Sequence, residues 1–142
     1  FMSIITVDGK INKEEAGIIL PHEHIFCDTS FTFKEPVQNN KIKLESHKVE
    51  IGNLYLLKNN MNYLKDNLFI DDEEVAIKEL NIFKQFGGNT IVDVSSIGVT
   101  NKRDKIKEIS KKTSLNIVQG TGYYIADALP REIINLSIDN LF

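Results

Sequence analysis

Two histidines one residue apart, His22 and His24, follow an apolar run, Ile18-Ile19-Leu20, and a proline, Pro21. Side chains alternate along a β-strand, so both imidazoles of such a pair project to one side and can reach one cation, while Glu23 between them turns away. Imidazole nitrogen is a usual zinc ligand, at about 2.0–2.1 Å. The pair alone is a weak signal, because such spacings also arise by accident on surfaces. Its position strengthens it, since catalytic groups of parallel barrels collect at the C-terminal ends of the strands. The remaining histidine, His47, falls in a long polar stretch and reads as a surface residue. Cys27, close after the pair, could see a metal, but reads better as a small, buried apolar side chain. Asp93 reads as a hydrogen-bonded polar residue near a strand end, with an acceptor for a ligand histidine as the alternative.

The elements that must position these groups follow from the local patterns. Ser3 to Val7 alternates as a strand, and Asp8-Gly9 is a hairpin turn before Lys10-Ile11. Ile18 to Leu20 reads as a buried parallel strand that stops at Pro21. Residues 26 to 68 read as irregular and rich in Asn and Lys, broken by Leu54-Tyr55-Leu56-Leu57. A connection of that length is more often functional or lid-like than a plain linker. Asp71 to Phe86 reads as a helix capped by Asp71 with Glu74, with Ala76, Leu80 and Phe83 on its apolar stripe and Gly87-Gly88 at its end. Thr90 to Val94 is a strand, Lys105 to Lys112 a helix with Ile106 and Ile109 inward, and Leu115 to Val118 a strand closed by Gly120-Thr121-Gly122. Strands that alternate with helices imply a parallel α/β sheet with crossovers packed on its face. The glycines lack the spacing of a dinucleotide fingerprint and read as turns and close packing.

Composition narrows the function classes. The net charge of −3 comes without any basic block, so nucleic acid is not an expected partner. A single cysteine allows no intrachain disulfide and favours a reducing compartment. No apolar run is long enough to span a bilayer, so no membrane association is expected. The start, Phe1-Met2-Ser3, lacks a signal-peptide pattern, and a cytoplasmic location is the expectation.

Several separated segments carry a resemblance. Thr6-Val7-Asp8-Gly9, Ala16-Gly17 and His22-Glu23-His24-Ile25 resemble the opening of the phosphotriesterase-related family of the amidohydrolase superfamily. The similarity continues in order through Asp66-Asn67-Leu68, Asp71-Asp72-Glu73, Gly87 to Asp93 and Leu115 to Tyr124. One departure stands out. The family's Gly-Ile-Gly-Arg-Asp is replaced by Gly98-Val99-Thr100-Asn101-Lys102, with Arg103-Asp104 displaced by two positions.

The resemblance implies a (β/α)8 barrel with two divalent metal ions, zinc first and manganese, cobalt or iron as alternatives. His22 and His24 correspond to the first-strand ligands of one ion. Tyr124 matches a tyrosine that lactone-hydrolysing members set against the substrate carbonyl, whereas Tyr123 is expected to pack outward. The implied reaction is hydrolysis of a small-molecule lactone or other carboxyl ester by a hydroxide held between the metals, with amide or phosphotriester hydrolysis as alternatives. A complete barrel takes about 250 residues, and this chain has 142. The expectation is therefore a single partial domain over 1–142: a leading hairpin and about three strands, inactive alone. Ser137 to Phe142 reads as the start of a helix cut short. A homodimer is the oligomer this reading allows for the full-length protein. The rival reading is a non-catalytic truncated relative that serves as a binding or structural segment.

Overall fold

The computed structural model describes residues 3–36, 46–100 and 102–136. Asn101 and the expected helix start at Ser137 to Phe142 lie outside the described residues. The chain forms two compact units, one over Phe1–Phe26 and Asp72–Phe142, the other over Cys27–Asp71.

The larger unit begins with an antiparallel hairpin of β1 (Ser3–Thr6) and β2 (Gly9–Asn12). The Thr6 hydroxyl closes its turn by donating to the Gly9 carbonyl at 2.8 Å. Three parallel strands follow: β3 (Ile18–Glu23), β6 (Gly88–Asp93) and β7 (Asn116–Gln119), in the spatial order β3-β6-β7. Two helices, α2 (Glu73–Gln85) and α3 (Lys105–Thr113), precede β6 and β7. Here the alternation of strand and helix expected from the sequence is present, with the leading hairpin.

The core explains why these segments adopt these elements. Ile91 and Ile117 from the sheet, Leu80 from α2 and Ile106 and Ile109 from α3 form one buried cluster with Ile25, Phe26 and Leu115. Ala76 and Phe83 pack against it, so the stripe read on α2 is its inward face. The N-cap is Asp72, one residue later than expected. Its carboxylate accepts from the Val75 N–H at 3.0 Å, satisfying a donor that the first helical turn leaves open. Gly88 is where α2 meets the sheet: a Cβ there would run into the Phe83 ring. On the far side, the Val7 N–H donates to the Ile117 carbonyl at 2.8 Å and ties the hairpin to β7.

The smaller unit departs from the irregular stretch that its composition suggests. A two-residue antiparallel pair, β4 (Cys27–Asp28) with β5 (Phe69–Ile70), closes its ends. Between them lie a short helix, α1 (Leu54–Asn59), and several single 3-10 turns. Leu56 and Leu64 are buried against Val49, Leu57 and Tyr63, a small core of its own. Asn and Lys contents hid this because the apolar residues are few and spaced without a regular period. Asp66 organises one side of it, accepting from Lys48 Nζ at 2.6 Å and from the Val49 N–H at 2.9 Å.

Candidate metal centre

The first parallel strand does not stop at Pro21. It continues through Pro21 and His22 to Glu23, with an irregularity between Leu20 and Glu23. Leu20 pairs with Ile91 and Glu23 with Asp93, so β3 spends three residues where β6 spends two. A bulge at the outer strand is where a proline is tolerated, because a missing N–H there costs no regular ladder bond. The bulge also resets the alternation. Glu23 comes into register with Asp93, and the two histidines that flank it lie close together. Their rings meet edge to face, with centroids 5.8 Å apart and planes at 79°.

Both histidine side chains are exposed, while the next two residues, Ile25 and Phe26, are buried. The chain therefore dives from the histidines straight into the core. This fixes His24 at a strand end that cannot drift without disturbing Phe26.

The far side of His24 is held. Its Nδ1 lies 2.9 Å from the Ser95 hydroxyl, and that hydroxyl also donates to the Phe26 carbonyl at 3.0 Å. Ser95 follows the end of β6 and is fully buried. Asp93 at the end of β6 makes no hydrogen bond to a histidine among the described residues. Its Oδ1 instead accepts from the Ser95 N–H at 2.8 Å, an Asx-type turn that fixes Ser95 in place. The reading of Asp93 as a hydrogen-bonded polar residue near the strand end holds. The acceptor beside the histidine is Ser95, a residue that the sequence reading passed over. The pattern Asp-x-Ser at the end of an apolar strand is the signal that could have found it.

Arg103 settles the region of the displaced Arg-Asp pair. Its guanidinium donates from Nη1 to the Ser95 carbonyl at 3.0 Å and from Nη2 to the Gly120 carbonyl at 2.9 Å. It thus clamps the C-terminal ends of β6 and β7. The Gly120 N–H returns to the Asp93 carbonyl at 2.7 Å, and the Val94 N–H to the Glu23 carbonyl at 3.0 Å. The strand ends around the histidines are bonded to one another on both sides of β6.

Asp93 Oδ2 is buried without a hydrogen-bond partner among the described residues, as is Nε2 of Gln119, its register neighbour on β7. Buried polar groups normally find partners. This end of the sheet therefore carries polar capacity that the described residues leave unspent.

The residues present fit one part of a metal shell. Two imidazoles converge on one face, one of them anchored through its far nitrogen, as metal-binding histidines are. Among the described residues no group of three or more His, Cys, Asp or Glu comes together to hold an ion. His22 and His24 thus offer two of the roughly four donors of a tetrahedral site.

The other residues singled out from the sequence are placed as follows. Tyr124 stands after β7, half exposed, and its N–H donates to the Ile97 carbonyl at 2.9 Å. Tyr123, also partly exposed, bridges to Ile97, so this segment is tied to the one that follows β6. His47 is exposed in the smaller unit, lining an open cleft with Lys48 and Asp66. Cys27 is half-buried in β4. No helix among the described residues is long and apolar enough to cross a membrane.

Known proteins resemble this chain in sequence and in fold. The sequence profile of the phosphotriesterase family matches residues 2–137. A phosphotriesterase-related protein of Nematostella vectensis is 37% identical over 139 residues, which is 96% of this chain and 40% of that protein. An N-acetyltaurine hydrolase of Dictyostelium discoideum is 30% identical over 155 residues, covering 94% of this chain and 42% of that protein. The crystal structure of a resiniferatoxin-binding protein from Rhodobacter sphaeroides superimposes with a TM-score of 0.87 at 32% identity, over 98% of this chain and 39% of that one. The chain thus spans about 40% of the length of the curated relatives it matches.

Proposed function

The chain belongs to the phosphotriesterase family, and on that premise we propose that the protein it represents is a metal-dependent hydrolase in which His22 and His24 hold one of two divalent ions. The observation that carries this reading is the pair of histidine rings gathered 5.8 Å apart on one face at the end of the first parallel strand. Zinc suits the two imidazoles best, with manganese, cobalt or iron as alternatives. Such ions, when bound, activate water near neutral pH and polarise the oxygen that gains charge.

The chain's own residues contribute positioning. The one-residue spacing sets the two imidazoles side by side at the strand end, and the burial of Phe26 keeps them there. The Tyr124 side chain, after β7, is a candidate hydrogen-bond donor to a substrate carbonyl. The substrate is a small molecule with a hydrolysable amide, carboxyl-ester or phosphoester bond. A carboxamide comes first, because a relative at 30% identity is named for hydrolysing N-acetyltaurine. A lactone or other carboxyl ester comes second, supported by the match of Tyr124 to the lactonase pattern, and a phosphotriester third.

The test is an assay of the longest product of this gene, loaded with zinc, against N-acetyltaurine, a γ-lactone and an aryl phosphotriester in parallel. Hydrolysis of one of them that disappears on chelation, and falls at least about 100-fold in His22→Ala and His24→Ala, is the expected result. Two zinc ions still bound per chain after both substitutions would overturn the assignment of the ligands. A correctly folded, metal-loaded product inert towards all three would favour the non-catalytic reading.

A further inference from the structure

We propose that Ser95 is a positioning residue that holds His24 in the Nδ1–H tautomer, so that Nε2 presents its lone pair outward. The purpose of this arrangement rests on the metal-ligand reading above; the arrangement itself does not.

The argument is a count of hydrogens. A serine hydroxyl has one hydrogen to donate and two lone pairs to accept with. Ser95 Oγ donates its hydrogen to the Phe26 carbonyl at 3.0 Å. Towards His24 Nδ1, at 2.9 Å, it can then only accept. Nδ1 must carry the proton, and a neutral imidazole protonated there has its lone pair on Nε2.

Ser95 is built to keep this role. It is fully buried, so water does not compete for its hydroxyl. Its N–H is taken by Asp93 Oδ1 at 2.8 Å, and its carbonyl by Arg103 Nη1 at 3.0 Å. The backbone of the serine is held from both sides, by the Asp93 and Arg103 side chains. The Phe26 carbonyl belongs to a residue only 1% exposed and cannot swing away. Three groups therefore fix one serine, and its hydroxyl orients one imidazole. In water an unrestrained imidazole favours the opposite tautomer, so the contact changes which nitrogen is free to bind.

The experiment uses the 142-residue chain, metal-free and labelled with 15N-histidine, at about pH 8, above the usual imidazole range. Long-range 1H–15N spectra distinguish a protonated ring nitrogen from a bare one. His24 should show a protonated Nδ1 and a bare Nε2, Ser95→Ala should revert towards the opposite tautomer, and Ser95→Thr should retain the native one. Zinc is then titrated alone into the longest product of this gene, and Ser95→Ala should weaken binding by about 10- to 100-fold, with Ser95→Thr restoring it. A His24 protonated at Nε2 in the unsubstituted chain would overturn the proposal, even if Ser95→Ala fails to fold. Zinc affinity that does not change between unsubstituted protein and a folded Ser95→Ala would overturn its positioning role. If zinc does not bind at all while the tautomer is as stated, the ligand reading fails and the orientation of His24 by Ser95 stands.

Discussion

At the scale of single residues, the contacts that matter most are those that convert a flexible side chain into a fixed one. Asp66 shows this away from the histidines. The Lys48 ammonium, and next the Val49 N–H, stabilise its carboxylate and hold its pKa below the usual carboxylate range. A depressed carboxylate pKa adds stability that is present above the unfolded value and is lost as pH falls through the folded one. The Val49 amide resonance should therefore stay put through the ordinary aspartate range and shift only at lower pH. A midpoint at the ordinary value would show that the carboxylate is not held in solution. Histidine pairs announce themselves in sequence through type and spacing, so His22 and His24 were legible. Ser95 was not, because a serine's role depends on which carbonyl and which imidazole lie within reach. Arg103 was legible only as a doubt about spacing, because its role lies in the Ser95 and Gly120 carbonyls that its guanidinium spans.

At the scale of elements, the periodic apolar patterns carried nearly everything that proved right. Ile106 and Ile109 on α3, and Ala76, Leu80 and Phe83 on α2, face the core as their spacing requires. The errors lie at boundaries. Pro21 was read as a stop because proline removes a donor, yet β3 absorbs it in a bulge. The helix cap moved from Asp71 to Asp72 because either aspartate can serve and only the chain path decides. The segment between Phe26 and Leu68 lacks a period, so its small core was invisible. The contact between α2 and β6 yields a clean prediction. Gly88→Ala places a methyl group into the Phe83 ring, and the overpacking should cost about 1–3 kcal/mol in urea unfolding. The double variant Gly88→Ala with Phe83→Leu should recover part of that loss, whereas purely additive losses would show that the two positions do not press on each other.

At the scale of the whole molecule, the parallel sheet pairs β3 with β6 on one side only among the described residues. Ile18 and Ile19 on β3 are exposed. An outer strand with exposed branched apolar side chains invites pairing with another chain. The 142-residue chain alone should therefore self-associate with rising concentration in sedimentation velocity, and Ile19→Lys should suppress it. A monomer at all concentrations would mean that this edge is protected. The descent of the chain from exposed His24 to buried Phe26 has a consequence of another kind. Any ion that grips the two histidines also grips the point where the polypeptide enters its core. Metal supply and survival of the fold then become one equilibrium: each tenfold rise of free metal above its dissociation constant adds about 1.4 kcal/mol to the native state. If the proposed ion binds there, scarcity of the metal would thin out the folded protein itself.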